Sequence, residues 1–323
     1  MKAIIPKVDR ALLDRELTAD KFLSNTNNGG NEIYIFTAHD SPHLMREVGR
    51  LREITFRDAG GGTGLDCDID EYDTLENPFQ QLIVWNPTDK EIVGGYRFIH
   101  GRDIPVINGK VRSASAHLFK FSSQFIEDFL PHSIELGRSF VQPNYQPTYN
   151  LKKGLYSLDN LWDGLGAMVV ETPGVLYLFG KMTMYTDYDK SARDILLYYL
   201  LNFFPDRDGL LVPHNPIEFT LKEEEMRAVF TGTTFEENYK LLIKELRSRK
   251  ENIPPLFNAY LNLSPTMRTF GTAVNDEFGY VEETGMMITM DDVYEKKKKR
   301  YLHSYIEKIQ RNIKSIRKQR YDG

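Results

Sequence analysis

Two opposite charges, three residues apart inside an apolar strand pattern, constrain how this 323-residue chain folds more than any other feature. In SIELGRSFV (133–141), Ile134, Leu136, Phe140 and Val141 read as a short buried strand, yet Glu135 and Arg138 sit within it. Strand side chains alternate between faces, so residues three apart point to opposite sides of a sheet. An unpaired charge in an apolar layer is costly. A bulge at Gly137, where the missing Cβ admits one extra residue, would return both charges to one face. The expectation is a bulged strand whose carboxylate and guanidinium share a polar site.

With 41% hydrophobic and 12% aromatic residues, the chain can bury a sizeable core. No apolar run approaches the ~20 residues needed to span a bilayer, and MKAIIPKVDRALLDRE has charges where a signal peptide needs an apolar stretch. A soluble, cytoplasmic protein is expected. Cys67 is the only cysteine, so neither an internal disulfide nor a CxxC metal site is available. Asp66, Asp68 and Asp70 would raise the pKa of its thiol rather than activate it. His117, His132 and His214 lie in no ligand spacing, so no metal is expected. Ser139 lacks the G-x-S-x-G elbow of a serine hydrolase.

The net charge of −5 hides an asymmetry. Residues 296–323 hold 11 Lys/Arg against Glu307 and Asp322, a net of +9, which leaves −14 on the first 295 residues. Leu302, Ile306, Ile309, Ile313 and Ile316 recur at helical spacing within that tail, predicting a basic amphipathic helix. Such a helix either clamps onto the body or attaches to anionic lipid at the inner membrane or to an acidic protein. Nucleic acid is not an expected partner, because the acidic body would repel phosphates.

Strands and helices alternate along the rest. NEIYIFTA (31–38) reads as a strand, and Ser41-Pro42 opens a helix with the stripe Leu44, Met45, Val48, Leu51 that ends at DAGGGTG (58–64). Residues 80–101 read as two strands joined at Asn86-Pro87-Thr88-Asp89, and 103–111 as a hairpin around Asn108-Gly109. Residues 121–130 read as a helix, 157–171 as a Ser-capped helix, 174–185 as a strand, 190–204 and 219–249 as helices, 253–263 as a helix and 269–290 as paired strands. The fold class is α/β (α+β): one elaborated domain over 1–295 with a helical insertion at about 186–250, followed by the tail helix. The Met-rich stretches MTMY and MMITM read as strand core, or as the lining of an acyl tunnel.

The unusual polar residues form a series: Arg52-x-x-x-Phe56, then Asp70-Glu71-Tyr72-Asp73, then Arg97 in VGGYRF, then Glu135-x-x-Arg138. In residue type, order and spacing this resembles the acyl-homoserine-lactone synthases and the ornithine-lipid and glycine-lipid N-acyltransferases, often labelled hemolysins, within the GNAT superfamily. The likeness covers roughly residues 40–185. RLREITFRDAGGGTG, VGGYRF, ELGRSFVQP, PPLFNAYLNL and FGTAVNDEFG look most like the glycine-lipid branch. The lactone synthases' tryptophan shortly after Arg-x-x-x-Phe is absent, since GGGTG stands there. That departure implies a different substrate pocket.

The resemblance implies a GNAT-like, mostly antiparallel sheet in which two central strands splay around the donor's pantetheine arm. Glu135 would be the general base toward an amino-acid amine, with a backbone N–H freed by the bulge at Gly137 binding the oxyanion. Arg52, Asp70, Asp73, Arg97 and Arg138 would form a charge network supporting the site or holding the acceptor's carboxylate. Phe56 would line core or acyl pocket. Lys152, Lys153 and Gly154 would meet the donor phosphate, or form an exposed basic loop. The expected donor is acyl carrier protein rather than acyl-CoA, and the expected acceptor is glycine, with ornithine or a lactone precursor as the same-fold alternative. A membrane-binding, hemolysin-like protein without enzymatic activity would explain the tail but not the polar series.

Overall fold

The computed structural model describes residues 1–311. The strands are β1 (Phe22–Asn25), β2 (Glu32–Phe36), β3 (Gln80–Asn86), β4 (Glu91–His100), β5 (Val106–Ile107), β6 (Lys110–Val111), β7 (Phe119–Phe121), β8 (Ser133–Val141), β9 (Tyr177–Met184), β10 (Leu211–Pro213), β11 (Arg268–Asn275) and β12 (Val281–Thr289). The helices are α1 (Arg10–Glu16), α2 (Pro42–Asp58), α3 (Glu71–Thr74), α4 (Leu151–Gly154), α5 (Ser157–Glu171), α6 (Lys190–Phe203), α7 (Glu223–Val229), α8 (Phe235–Ser248), α9 (Pro255–Leu261) and α10 (Glu295–Lys298). Eight strands make one sheet in the order β1-β2-β3-β4-β8-β9-β12-β11. Neighbours in it are antiparallel except β8 and β9, which run parallel.

The parallel pair is the centre of the fold. Its ladder joins only Ser133–Leu136 to Tyr177–Gly180, after which both strands continue without pairing to each other. A Cβ on Gly180 would lie 2.6 Å from the Leu136 carbonyl oxygen, so glycine is needed where the strands last touch. Beyond that rung no pair joins the two strands, at the place where the resemblance implied a splay. The bulge is also present, one residue later than expected. Gly95 pairs with Phe140 but Arg97 pairs with Gly137, and it is Arg138, not Gly137, that takes the left-handed φ of 51°. A non-glycine residue there costs roughly 1–2 kcal/mol. Gly137 has ordinary backbone, and the ion pairs of Arg138 described below hold the bulge in place.

Alternation divides the sheet into two unlike faces. One carries Leu82, Tyr96, Phe98, Ile134, Leu178, Met182 and Ile288 into a large core with α5, α6, α8 and α9. Residues 186–250 are therefore extra core: Ile195 and Leu196 of α6 and Leu242 and Leu246 of α8 are buried with the sheet. The opposite face carries two apolar patches. Tyr34, Phe36, Ile83, Trp85 and Phe140 pack under the α2 stripe of Leu44, Met45, Val48 and Leu51. Ile99, Phe179 and Met287 pack under Leu118, Phe119, Phe125 and Leu130. Between the two patches runs a seam of charged residues.

Local signals act as the sequence suggests, with exceptions. Asn108 and Gly109 both take positive φ, 53° and 71°, as a two-residue hairpin turn between β5 and β6 requires. Ser41 precedes α2 without capping it, because its hydroxyl accepts from Lys21 and donates to Asp40. Residues 121–130 give a single wide turn at Phe125–Phe129 rather than a regular helix, with Phe121 and Phe125 packed edge-on against Phe179. In the tail Tyr301 and Tyr305 are buried, whereas of the expected stripe Leu302 and Ile309 are half-buried and Ile306 is exposed, so the aromatic pair docks most deeply. The clamp is polar at its ends: Tyr301 donates to Asp159, Tyr305 to Glu171 and Lys308 to the Asn25 carbonyl. Ile313 and Ile316 lie outside the described residues. Among the described residues no helix is long and apolar enough to cross a membrane.

Candidate active site

Three arginines and three aspartates fill the seam. Arg52, on the buried face of α2, donates to Asp73 at 3.2 Å and to Gln81 on β3. Arg97 on β4 reaches Asp70 at 2.6 Å and Asp73 at 3.1 Å, with its guanidinium 5.0 Å from the centre of the Phe79 ring. Arg138 at the bulge reaches Asp68 at 2.9 Å and stacks 4.2 Å over Phe278. Burial pushes the Asp73 carboxyl up, but the guanidiniums of Arg97 and Arg52 outweigh it and hold the group below the usual carboxylate range. The six charges cancel, which favours the supporting role over capture of an acceptor carboxylate.

The acidic side of this network is positioned by a glycine. Gly49 faces residues 67–69 from α2, and a Cβ there would lie 2.6 Å from the Cys67 sulfur and 2.7 Å from the Ile69 side chain. The Asp68 amide donates to the Gly49 carbonyl at 3.0 Å, so the segment carrying Asp68 and Asp70 is laid directly on the helix. Alanine within a helix is worth about 1 kcal/mol over glycine. Here the collision outweighs that gain, and Gly49→Ala is expected to destabilise by about 1–3 kcal/mol and to slow turnover by shifting Asp68 away from Arg138. Denaturant unfolding and steady-state rates of that variant check both. Burial and Asp68 push the Cys67 thiol up to about 11, so it is not a nucleophile.

Glu135 stands apart from the neutral network. It lies one rung before β8 and β9 part, and it is 1% exposed. One carboxylate oxygen accepts from the Ser115 amide at 2.9 Å and the Ser115 hydroxyl at 2.7 Å. The other oxygen is buried and has no hydrogen-bond partner among the described residues. Burial pushes its pKa up, opposed by Ser115, Ser113 and Lys181. A buried carboxylate with one oxygen anchored and one unspent is arranged to take a proton.

Sequence reasoning missed several neighbours. Lys181, the first β9 residue beyond the last shared rung, pairs with Glu283 on β12 at 2.8 Å, and Asn275 donates to the same Glu283 at 2.9 Å. Burial raises the Glu283 carboxyl, yet Lys181 and Asn275 bring it below the ordinary value. Lys181 carried the same signal as Glu135, a charge inside an apolar strand, and could have been found by it. Ser113 and Ser115, in a loop of small residues, gave none.

Other expected site residues fall elsewhere. Phe56 packs edge-on against Phe278, 5.0 Å between ring centres, and so backs the surface on which Arg138 stacks rather than lining an open pocket. At the far end of β8, the amides of Lys153 and Gly154 are engaged by Asn150, and the Lys153 ammonium by Asp89 at 2.7 Å. Lys152 is exposed and has no partner among the described residues. No group of three potential metal ligands occurs among the described residues.

Residues 51–153 match the acetyltransferase (GNAT) domain family. A glycine N(alpha)-acyltransferase of Bacteroides thetaiotaomicron is 53% identical over 95% of this chain and 91% of its own length. One from Phocaeicola vulgatus is 50% identical over 95% of this chain and 94% of its own. A solved CoA-dependent acyl-homoserine lactone synthase aligns with 87% of this chain and 90% of its own at 12% identity and a TM-score of 0.37, too distant to bear on the reaction. At this identity over nearly the whole length, the chain belongs to the glycine N(alpha)-acyltransferase family and is an acyltransferase built on the GNAT fold.

Proposed function

We propose that the enzyme moves a long, 3-hydroxylated acyl chain from acyl carrier protein to the α-amine of glycine, forming a membrane aminolipid or its precursor. The names of the two relatives support glycine as acceptor. The observation that carries the mechanism is Glu135, held by Ser115 through one oxygen with the other unspent, beside the point where β8 and β9 part. An amine attacks only when neutral. Glu135 takes the proton from the glycine ammonium, directly or through a water, and the amine adds to the thioester carbonyl. Backbone N–H groups at the Arg138 bulge steady the oxyanion, contacts worth about 2.7–4 kcal/mol where one has been removed. Collapse expels the carrier's thiolate, which takes up the proton shed by the adding nitrogen, and leaves the neutral amide, while Glu135 returns its proton to solvent.

A carrier's phosphopantetheine presents one phosphate, whereas CoA presents a pyrophosphate that needs several free amides. The engagement of the Lys153 and Gly154 amides by Asn150 therefore favours the carrier, leaving Lys152 as the nearby cation. The test pairs purified enzyme with 3-hydroxyacyl-carrier protein or 3-hydroxyacyl-CoA, and glycine or ornithine, with products read by mass spectrometry. N-acylglycine from the carrier-linked donor is expected. N-acylornithine would move the acceptor, preference for CoA would move the donor, and no amide from any pairing would end the proposal.

A further inference from the structure

The turn that follows β8 is amphipathic the wrong way round. Across α4 and the start of α5, the residues that face the protein are Gly154, Ser157 and Asn160, while Leu151, Leu155 and Leu158 face out. Leu151 and Leu155 are 72% and 61% exposed, and Tyr149 beside them is 60% exposed. Isolated surface leucines are ordinary, but a cluster raised on one turn marks a contact surface. The turn cannot roll over to hide them. A Cβ on Gly154 would lie 2.4 Å from the Pro147 nitrogen, and Asn160 is bonded to both Asn28 and Asn31.

Within the segment itself charge has one sign, and the acidic groups beside it are already engaged, Asp89 by Lys153 and Asp58 by Tyr149. Residues 142–158 contain Lys152 and Lys153 and no acidic residue, on a body of net −14. Arg300 pairs with Asp159, the residue after Leu158, which brings the basic run 296–300 alongside. Leucines projecting from a rim of cations are what a peripheral protein sets into an anionic bilayer. An acidic protein that met only the lysines would leave the three raised leucines in water, whereas a bilayer interface takes up both.

We propose that the turn bearing Leu151, Leu155 and Leu158 inserts into the interface of an anionic lipid bilayer and seats the open end of the β8–β9 gap on the membrane. This goes beyond the reaction proposed above, and it requires a donor phosphate held near Lys152 to arrive from beside the seated turn. The full chain is sedimented with phosphatidylglycerol-containing vesicles, alone and as Leu151→Glu/Leu155→Glu, at low salt and at about 1 M, where the Debye length is about 3 Å. The wild-type chain is expected to retain part of its binding at high salt, and the double variant to bind roughly fivefold or more weakly in both conditions. A Leu151→Trp variant keeps the test open should the glutamates disturb folding: its fluorescence is expected to shift to the blue and to be quenched by brominated lipid. Equal vesicle binding by wild type and double variant, or no quenching of Trp, would overturn the proposal. So would a double variant that keeps vesicle binding but loses acyl carrier protein, or that converts a self-associated wild type to monomer, since the surface would then be a protein interface.

Discussion

Glu135→Gln is expected to leave the chain folded and to lower turnover roughly a hundredfold, within the range a positioned general base supplies. Glutamine is isosteric and still accepts from Ser115, so the loop it anchors stays in place. What it loses is a site for the proton. The pH profile gives a sharper reading than the rate alone. Burial raises the folded pKa of Glu135, and the base works only when ionised, so wild-type activity should climb with pH through that raised value and then level. The variant should lack this rising limb. Stability should move the other way: because the folded pKa lies above the unfolded one, the folded state binds more protons in that window and wild-type stability falls as pH rises through it. Glu135→Gln should be as stable as wild type or more so near neutrality, the difference closing in acid. Full activity in the variant would end the assignment of Glu135 as base.

Arg97→Ala is expected to have the largest effect on folding. It strips Asp70 and Asp73 of a shared partner, and Asp73 is fully buried. Removing one member of a buried ion pair typically costs about 3–5 kcal/mol, mostly because the other charge is left uncompensated. Denaturant midpoints should show that loss at neutral pH. The sign of its pH dependence follows from Asp73, whose folded pKa is depressed. The stability it contributes is present above its unfolded pKa of about 3.9 and is lost as pH falls toward the lower folded value. The gap between wild type and Arg97→Ala should therefore be widest near neutrality and narrow below about pH 4. A loss under about 1 kcal/mol would mean that the seam does not support the sheet. Arg97→Lys should not rescue fully, because one ammonium cannot span Asp70 and Asp73 as a guanidinium does.

Much of this site can be read from the chain because charges inside apolar strands have few innocent explanations. Glu135 and Arg138 announce a bulge through their spacing, and Arg52 and Arg97 stand out within apolar stretches in the same way. The residue that bulges does not show. Glycine tolerates positive φ best, so Gly137 is the natural choice, yet ion pairing to Asp68 keeps Arg138 in the left-handed region instead. Asp68 itself hides within a run of acidic residues that looks like a solvated loop, and only Gly49, an otherwise unhelpful glycine inside a helix, hints that something packs there. Lys181 carries the same signal, a lone charge inside an apolar strand. Ser115 is invisible because a serine that bonds a distant carboxylate leaves no local trace. In the tail, aromatic residues win the buried positions over isoleucine because Tyr301 and Tyr305 bring hydroxyls that reach Asp159 and Glu171.

The sheet is divided like two leaves of a book. Five strands, β1 to β4 with β8, form one leaf, and β9, β12 and β11 the other, with four residue pairs as the spine. Past the spine the two leaves no longer pair with each other, and buried backbone groups rarely stay unpaired. Any extended chain laid between the leaves thus takes up the work of a missing strand. Occupancy would bind the leaves together and departure would loosen them, so the enzyme's stiffness would rise and fall with each turnover.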